Sequence, residues 1–157
     1  MEETIVRRAS EPDIPALDRL LYQVHKVHSD ARPDLFVPGA KKYTDDELRA
    51  ILENEKTPVF VAECGGAVLG YCFCILQKQP HGNMTDVRTL YIDDLCVDAS
   101  ARGRHIGTRL YRHALDYARA EGCYNVTLNV WEGNDDARRF YEAVGMKVQK
   151  TGMETIL

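Results

Sequence analysis

The chain is short of the features that place a protein most readily in a class. It has no excess of positive charge: 20 Lys and Arg against 24 Asp and Glu leave a formal net charge of -4. That balance excludes the basic footprint of a non-specific nucleic-acid binder and leans toward a cationic partner. No run approaches the roughly eighteen apolar residues of a membrane helix. Met1-Glu2-Glu3 opens acidic with no apolar stretch behind it, so no secretory leader is expected. There is no Cys-x-x-Cys, and the five cysteines (64, 72, 74, 96 and 123) are odd in number and lie mostly in apolar stretches. They are expected as reduced thiols of a cytoplasmic protein, neither paired in disulfides nor bound to metal. Repeats, low-complexity tracts and linkers are also missing, so 157 residues suit one domain spanning 1–157.

What is present centres on Ala101 to Leu110, which reads Ala-Arg-Gly-Arg-His-Ile-Gly-Thr-Arg-Leu between an apolar segment ending Leu95-Cys96-Val97 and a helical pattern. Gly103 and Gly107 allow close backbone approach, and three arginines surround them. The helix that follows aims unpaired N–H groups back into the turn, an arrangement that holds a pyrophosphate. The spacing is neither that of a P-loop, which needs Gly-Lys-Ser/Thr, nor that of a Gly-x-Gly-x-x-Gly dinucleotide site. For this segment alone, a plain strand-to-helix turn with solvated arginines is an equal reading. Its neighbours decide.

Around it the elements fall into a regular order. Ile5 to Ala9 reads as a strand, and Ser10-Glu11-Pro12-Asp13 starts a helix with Ile14, Leu17, Leu20, Leu21, Val24 and Val27 on one stripe. Thr44-x-x-Glu47 is a capping box opening a second helix. Strands Val59 to Cys64 and Val68 to Leu76 meet at Gly65-Gly66, a hairpin signal, and Leu90 to Val97 is the next strand. A helix from Ile106 to about Glu121 is followed by a strand over Asn125 to Trp131. A helix capped by Asn134 or Asp135 comes next, and a closing hairpin over Met146 to Lys150 and Met153 to Leu157. The order β-α-α-β-β-β-α-β-α-β-β predicts an α/β fold with a mixed sheet and helices on both faces.

Two motifs carry a resemblance. Val97-Asp-Ala-Ser-Ala-Arg102-Gly-Arg-His105-Ile-Gly107-Thr108 is similar to Arg/Gln-x-x-Gly-x-Gly/Ala after a strand. Asn134-Asp-Asp-Ala137-Arg-Arg-Phe140-Tyr141-Glu142-Ala-Val-Gly145-Met146 matches Asn-x-x-Ala-x-x-Phe-Tyr-Glu-x-x-Gly-Met/Phe in full. Together they resemble the GNAT superfamily of acetyl-CoA-dependent N-acetyltransferases, in element order from Ile5 to Leu157 and in residue detail over 91–146. The resemblance implies the GNAT fold: a mixed, mostly antiparallel sheet of about seven strands. His105 departs from it, standing where the family has the first glycine of its pair; its side chain would narrow the cradle, and it reads as a solvent-facing residue ahead of a catalytic one.

The resemblance also implies roles. The main chain of Arg102, Gly103, Arg104, His105, Ile106, Gly107 and Thr108 would hold the pyrophosphate of acetyl-CoA, the co-substrate. Leu95, Cys96 and Val97 would bond its pantetheine arm as an added strand does, with Asn134 and Ala137 on the other side. The N–H of Cys96 or Val97 would stabilise the oxyanion at the thioester. Tyr141 is the candidate acid for the departing thiolate. Tyr91-Ile92-Asp93-Asp94-Leu95-Cys96-Val97 resembles the Tyr-Leu-Glu-Asp-x-x-Val of spermidine/spermine acetyltransferases, which makes Asp93 the matching base. Strand alternation sets Asp93 and Asp94 on opposite faces, a bulge aside, so only one of the pair is expected in the cleft. Leu128-Asn129-Val130-Trp131-Glu132-Gly133-Asn134 lacks the glutamate of the N-terminal protein acetyltransferases.

Cys96 reads as a buried strand thiol ahead of a nucleophile. His25 and His28 lack a third metal ligand and read as exposed polar residues first, substrate contacts second. The expected activity is acetyl transfer to a primary amine of a small molecule or peptide. A non-catalytic acyl-CoA sensor on the same fold is the alternative. Homodimerisation is common in the family, and the closing hairpin is a candidate contact.

Overall fold

The protein's structure, a computed structural model, describes residues 2–157. Strand β1 (Thr4–Arg8) leads through a single 3-10 turn into helix α1 (Ile14–Ala31), and α2 (Asp45–Glu53) follows. Strands β2 (Val59–Cys64), β3 (Ala67–Lys78) and β4 (Arg88–Val97) come next, then helix α3 (Ile106–Ala120), strand β5 (Asn125–Thr127) and helix α4 (Asp135–Ala143). The expected caps form. Thr44 accepts from the Glu47 N–H at 3.1 Å while Glu47 accepts from the Thr44 N–H at 3.1 Å. Gly65 and Gly66, at φ +59 and +80, supply the two left-handed residues that a two-residue hairpin needs.

The sheet runs in the order β1-β2-β3-β4-β5, antiparallel except for the parallel pair β4 and β5. It is buried on both faces. Val59 and Val61 of β2 and Tyr71 and Phe73 of β3 meet Leu17, Leu20 and Leu21 of α1 and Leu48 of α2. The alternate residues, Phe60, Ala62, Cys72 and Cys74, meet Ile106, Leu110, Tyr111 and Ala114 of α3. The period of two in the strands thus divides the core into two layers. Leu110, fully enclosed on the α3 side, should cost about 2–5 kcal/mol when cut to alanine, read from urea unfolding with an unchanged m-value.

Among the described residues the sheet has five strands and not about seven. β5 ends at Thr127, short of Trp131, and no closing hairpin forms. Residues 147–157 make no backbone–backbone hydrogen bond among the described residues, and Val148, Met153 and Ile156 stand exposed. A three-residue β5 offers little edge to pair against. Thr151-Gly152 is also weaker hairpin chemistry than Gly65-Gly66, because both central residues of the favoured turn need φ above zero.

Candidate active site

Strand β4 has a free side. It pairs with β3 along its whole length but with β5 only over Thr89, Leu90 and Tyr91. From Ile92 to Val97 the backbone on that side has no strand partner, because β5 ends at Thr127. Leu95, Cys96 and Val97 lie at the far end of that open edge. Cys96 itself turns into the α1 layer, its sulfur 3.7 Å from the Leu20 carbonyl. Burial, and then the charge of Asp94, push its thiol up to about 12. A thiol that stays protonated is a packing group, not a nucleophile.

Just beyond β4, Asp98 ties down the turn. Its carboxylate accepts from the Ser100 N–H at 2.9 Å and the Ser100 hydroxyl at 2.8 Å, and it pairs with Arg19 of α1. Those bonds, the two from Ser100 foremost, hold its pKa down at about 2. Arg19 also donates to the Val68 carbonyl at 2.9 Å, so α1, β3 and the turn share one hub. Sequence reasoning passed over both residues, although Asp98-Ala-Ser100 has the spacing of a side chain that caps a backbone two residues on. After the hub, Arg102, Gly103, Arg104 and His105 are exposed, Ile106 and Gly107 are buried, and Thr108 is half-buried.

No side chain caps α3. Its first N–H groups are therefore left as anion donors beside exposed guanidiniums. Gly107 serves packing as well: a Cβ there would come within 3.2 Å of the Phe140 ring of α4. His105 has φ 59 and ψ 19, and among the described residues it alone is left-handed without being glycine. This explains why a glycine is at home in that place. Left-handed backbone costs a side-chain-bearing residue about 1–2 kcal/mol, and glycine's extra freedom when unfolded returns about 0.4–1 kcal/mol. His105→Gly should therefore raise unfolding free energy by about 0.5 kcal/mol, seen as a small rise in the urea midpoint.

The acidic pair is arranged by a bulge. Phe73 pairs with Asp94 and Cys74 with Ile92, leaving Asp93 as an extra residue on β4. Ile92 and Leu95 both pack on the α3 side, so the two aspartates between them turn together toward α1. This corrects the expectation from alternation that they take opposite faces: an inserted residue breaks the period of two. Asp93 is fully engaged. Lys42 donates to its two oxygens at 2.9 Å each, and the Tyr43 hydroxyl donates to it as well. Among the side-chain donors of the described residues, Asp94 accepts only from the Tyr71 hydroxyl, at 2.6 Å, and it keeps some access to solvent. Burial raises its carboxyl to about 6 against the opposing effects of Tyr71 and Lys42. It is half ionised near pH 6 and can accept a proton at neutral pH.

Helix α4 faces this from across the gap. Asn134 caps it, accepting from the Ala137 N–H at 3.4 Å, and both residues are half-buried. Tyr141, one residue past the ring that fills Gly107, is also half-buried. Burial first, and then neighbours that include Cys72 and Asp94, push its phenol above the ordinary range. It stays protonated and can donate.

The model of the acetyltransferase (GNAT) family matches residues 22–146. The chain belongs to the GNAT family. An uncharacterized N-acetyltransferase of Bacillus subtilis, YhfO, is 30% identical over 141 residues, covering 89% of this chain and 87% of that protein. The crystal structure of a mutant BH1408 protein from Bacillus halodurans has a TM-score of 0.93 at 32% identity, covering 98% of this chain and 99% of that one. The aminoglycoside N-acetyltransferase AAC(6')-Iy, solved in complex with CoA, shares the fold at a TM-score of 0.75 and 14% identity, covering 100% of this chain and 96% of its own. The protein is thus an acyltransferase of the GNAT type.

In this GNAT chain the C-terminal end of α1 and the segment after it pack beside the start of α4. Phe36 stacks on His28 with centroids 5.3 Å apart and meets Trp131 edge-on at 5.6 Å. His25 donates to the Val37 carbonyl at 2.6 Å, so both histidines fold this segment. A cavity of about 370 Å³ opens between His28, Phe36, Trp131, Glu132, Asn134 and Asp135. Arg32 lies over the Trp131 ring and bonds Asp34 and Glu154, tethering the chain's last residues to α1.

Proposed function

We propose that the protein moves the acetyl group of acetyl-CoA directly to a primary amine within a ternary complex. The observation that carries this is the open edge of β4 from Ile92 to Val97, which runs into an uncapped helix N-terminus. Residues Leu95 to Val97 bond the pantetheine arm along that edge, with Asn134 and Ala137 opposite. Arg102, Arg104 and the N–H groups from Gly103 to Thr108 take the pyrophosphate. The N–H of Cys96 or Val97 polarises the thioester carbonyl.

Asp94 removes a proton from the acceptor ammonium, directly or through one water. Asp93 is the weaker candidate, since Lys42 and Tyr43 already occupy it. Tyr141 returns a proton to the leaving thiolate. AAC(6')-Iy is by name an aminoglycoside acetyltransferase, and this chain's net charge of -4 also suits a cationic small-molecule amine. The cavity beside Trp131, with the carboxylates of Glu132 and Asp135, is the acceptor's entrance.

Calorimetry with acetyl-CoA, followed by thiol release across a panel of amines, tests the proposal. No binding at millimolar acetyl-CoA would overturn it. Binding without turnover on any amine would favour a sensor role on the same fold. The exposed apolar residues Val148, Met153 and Ile156 on an unpaired segment support a homodimer, which light scattering of the purified protein checks. Five free thiols, three of them buried, accord with a reducing cytoplasm.

A further inference from the structure

Lys42 lies between α1 and α2 and holds a primary amine against Asp93, next in sequence to the proposed base Asp94. Its Nζ is 2.9 Å from both oxygens of Asp93, the bulged neighbour of Asp94, and 5.4 Å from the centre of the Tyr43 ring. The Asp93 carboxylate is largely enclosed, whereas the Lys42 side chain is 46% exposed. The ammonium therefore reaches the site from outside on a flexible four-carbon stem. Its nearest lysine neighbour, Lys41, points elsewhere, to Asp18 and Asp45. The ammonium is also close enough to act on Asp94. The chain's own amine thus rests on the residue next to the proposed base.

We propose that Lys42 is an intramolecular acceptor, acetylated by its own active site when acetyl-CoA is bound and no free amine competes. This rests on the reading of Asp94 and Tyr141 given above. The Lys42 ammonium gives one proton to Asp94, which passes it to solvent. The freed nitrogen pair forms the N–C bond to the thioester carbonyl carbon, the nitrogen then gives its second proton to solvent, and the C–S bond breaks with its electrons on sulfur. Tyr141 protonates that sulfur and is itself reprotonated from solvent. The products are N-acetyl-Lys42, CoA with a free thiol, and one proton. Tethering replaces a second-order encounter by a local one, so the reaction needs no high amine concentration. The neutral amide no longer neutralises Asp93, and two carboxylates then face an incoming cation.

The test is intact-mass and peptide-mapping spectrometry of the full chain incubated with acetyl-CoA and no amine. The expected result is one acetyl group, on Lys42, formed at a first-order rate independent of protein concentration and absent from Lys42→Arg. Tyr141→Phe should slow that labelling at least tenfold. Labelling spread over several lysines and indifferent to Tyr141→Phe would overturn the proposal, as would a rate proportional to protein concentration. An unmodified Lys42 in protein that releases CoA with free amines would overturn it and leave the acetyltransferase reading standing. An unmodified Lys42 with no acetyl-CoA binding at all would overturn both.

Discussion

Tyr141→Phe is expected to lower kcat by about 10²–10⁴-fold, the range of general acid catalysis, while the dissociation constant for acetyl-CoA stays within about twofold. The variant removes one oxygen and keeps the ring, so the packing of α4 against α3 through Phe140 and Gly107 is undisturbed. The effect should fall on the step in which the thiolate departs. Burial keeps the Tyr141 phenol protonated throughout the neutral range, so its loss should not move the acid side of the pH profile. Stopped-flow acetyl transfer and calorimetry on the same sample separate the two quantities. Equal losses in turnover and in acetyl-CoA affinity would make Tyr141 a binding residue.

Asp94→Asn should bring a loss of similar size, about 10²–10⁴-fold in kcat, with a change of shape that Tyr141→Phe lacks. In the parent protein, kcat at saturating amine should rise with pH through about 6, because only the ionised carboxylate accepts a proton. Asparagine removes that limb. Stability should move the other way. The carboxyl's pKa is raised by burial from 3.8 to about 6, so in the window between them the unfolded chain gives up the proton first. The stability tied to a neutral Asp94 is full below pH 3.8 and lost as pH climbs through about 6. At pH 7 Asp94→Asn should therefore melt higher than the parent and near pH 4 about the same, as calorimetric scans at the two pH values would read. A site that holds a charge in a dry setting gives up stability for reactivity.

Much of this was legible in sequence because it is local. The capping box of Thr44, the Gly65-Gly66 hairpin and the Asn134 cap each depend on residues within one turn, and each formed. His105 was visible as an oddity before its left-handed backbone gave the reason. What could not be read depends on register. Tyr71 reaches Asp94 across the β3–β4 pairing, and Lys42 and Tyr43 reach Asp93 from about fifty residues upstream. The bulge that aims both carboxylates has no composition of its own. It arises because β3 and β4 must satisfy two packed faces at once. The closing strands failed for a related reason: alternation marks what can pair and does not supply the partner.

The one-residue excess in β4 also makes strand length, apart from side-chain type, part of the site's encoding. A regular strand keeps same-face neighbours two residues apart, whereas the excess sets two carboxylates in succession on one face. Deleting Asp93 outright would restore plain alternation with Ile92 and Leu95 still toward α3 and Asp94 still toward α1. Asp94 would keep its direction and lose its charged companion. Deleting Leu95 would instead turn every residue from Cys96 onward to the opposite side, exchanging the thiol buried under α1 for Val97. In this strand a gap is not a milder or harsher substitution; its position decides which side chains change face.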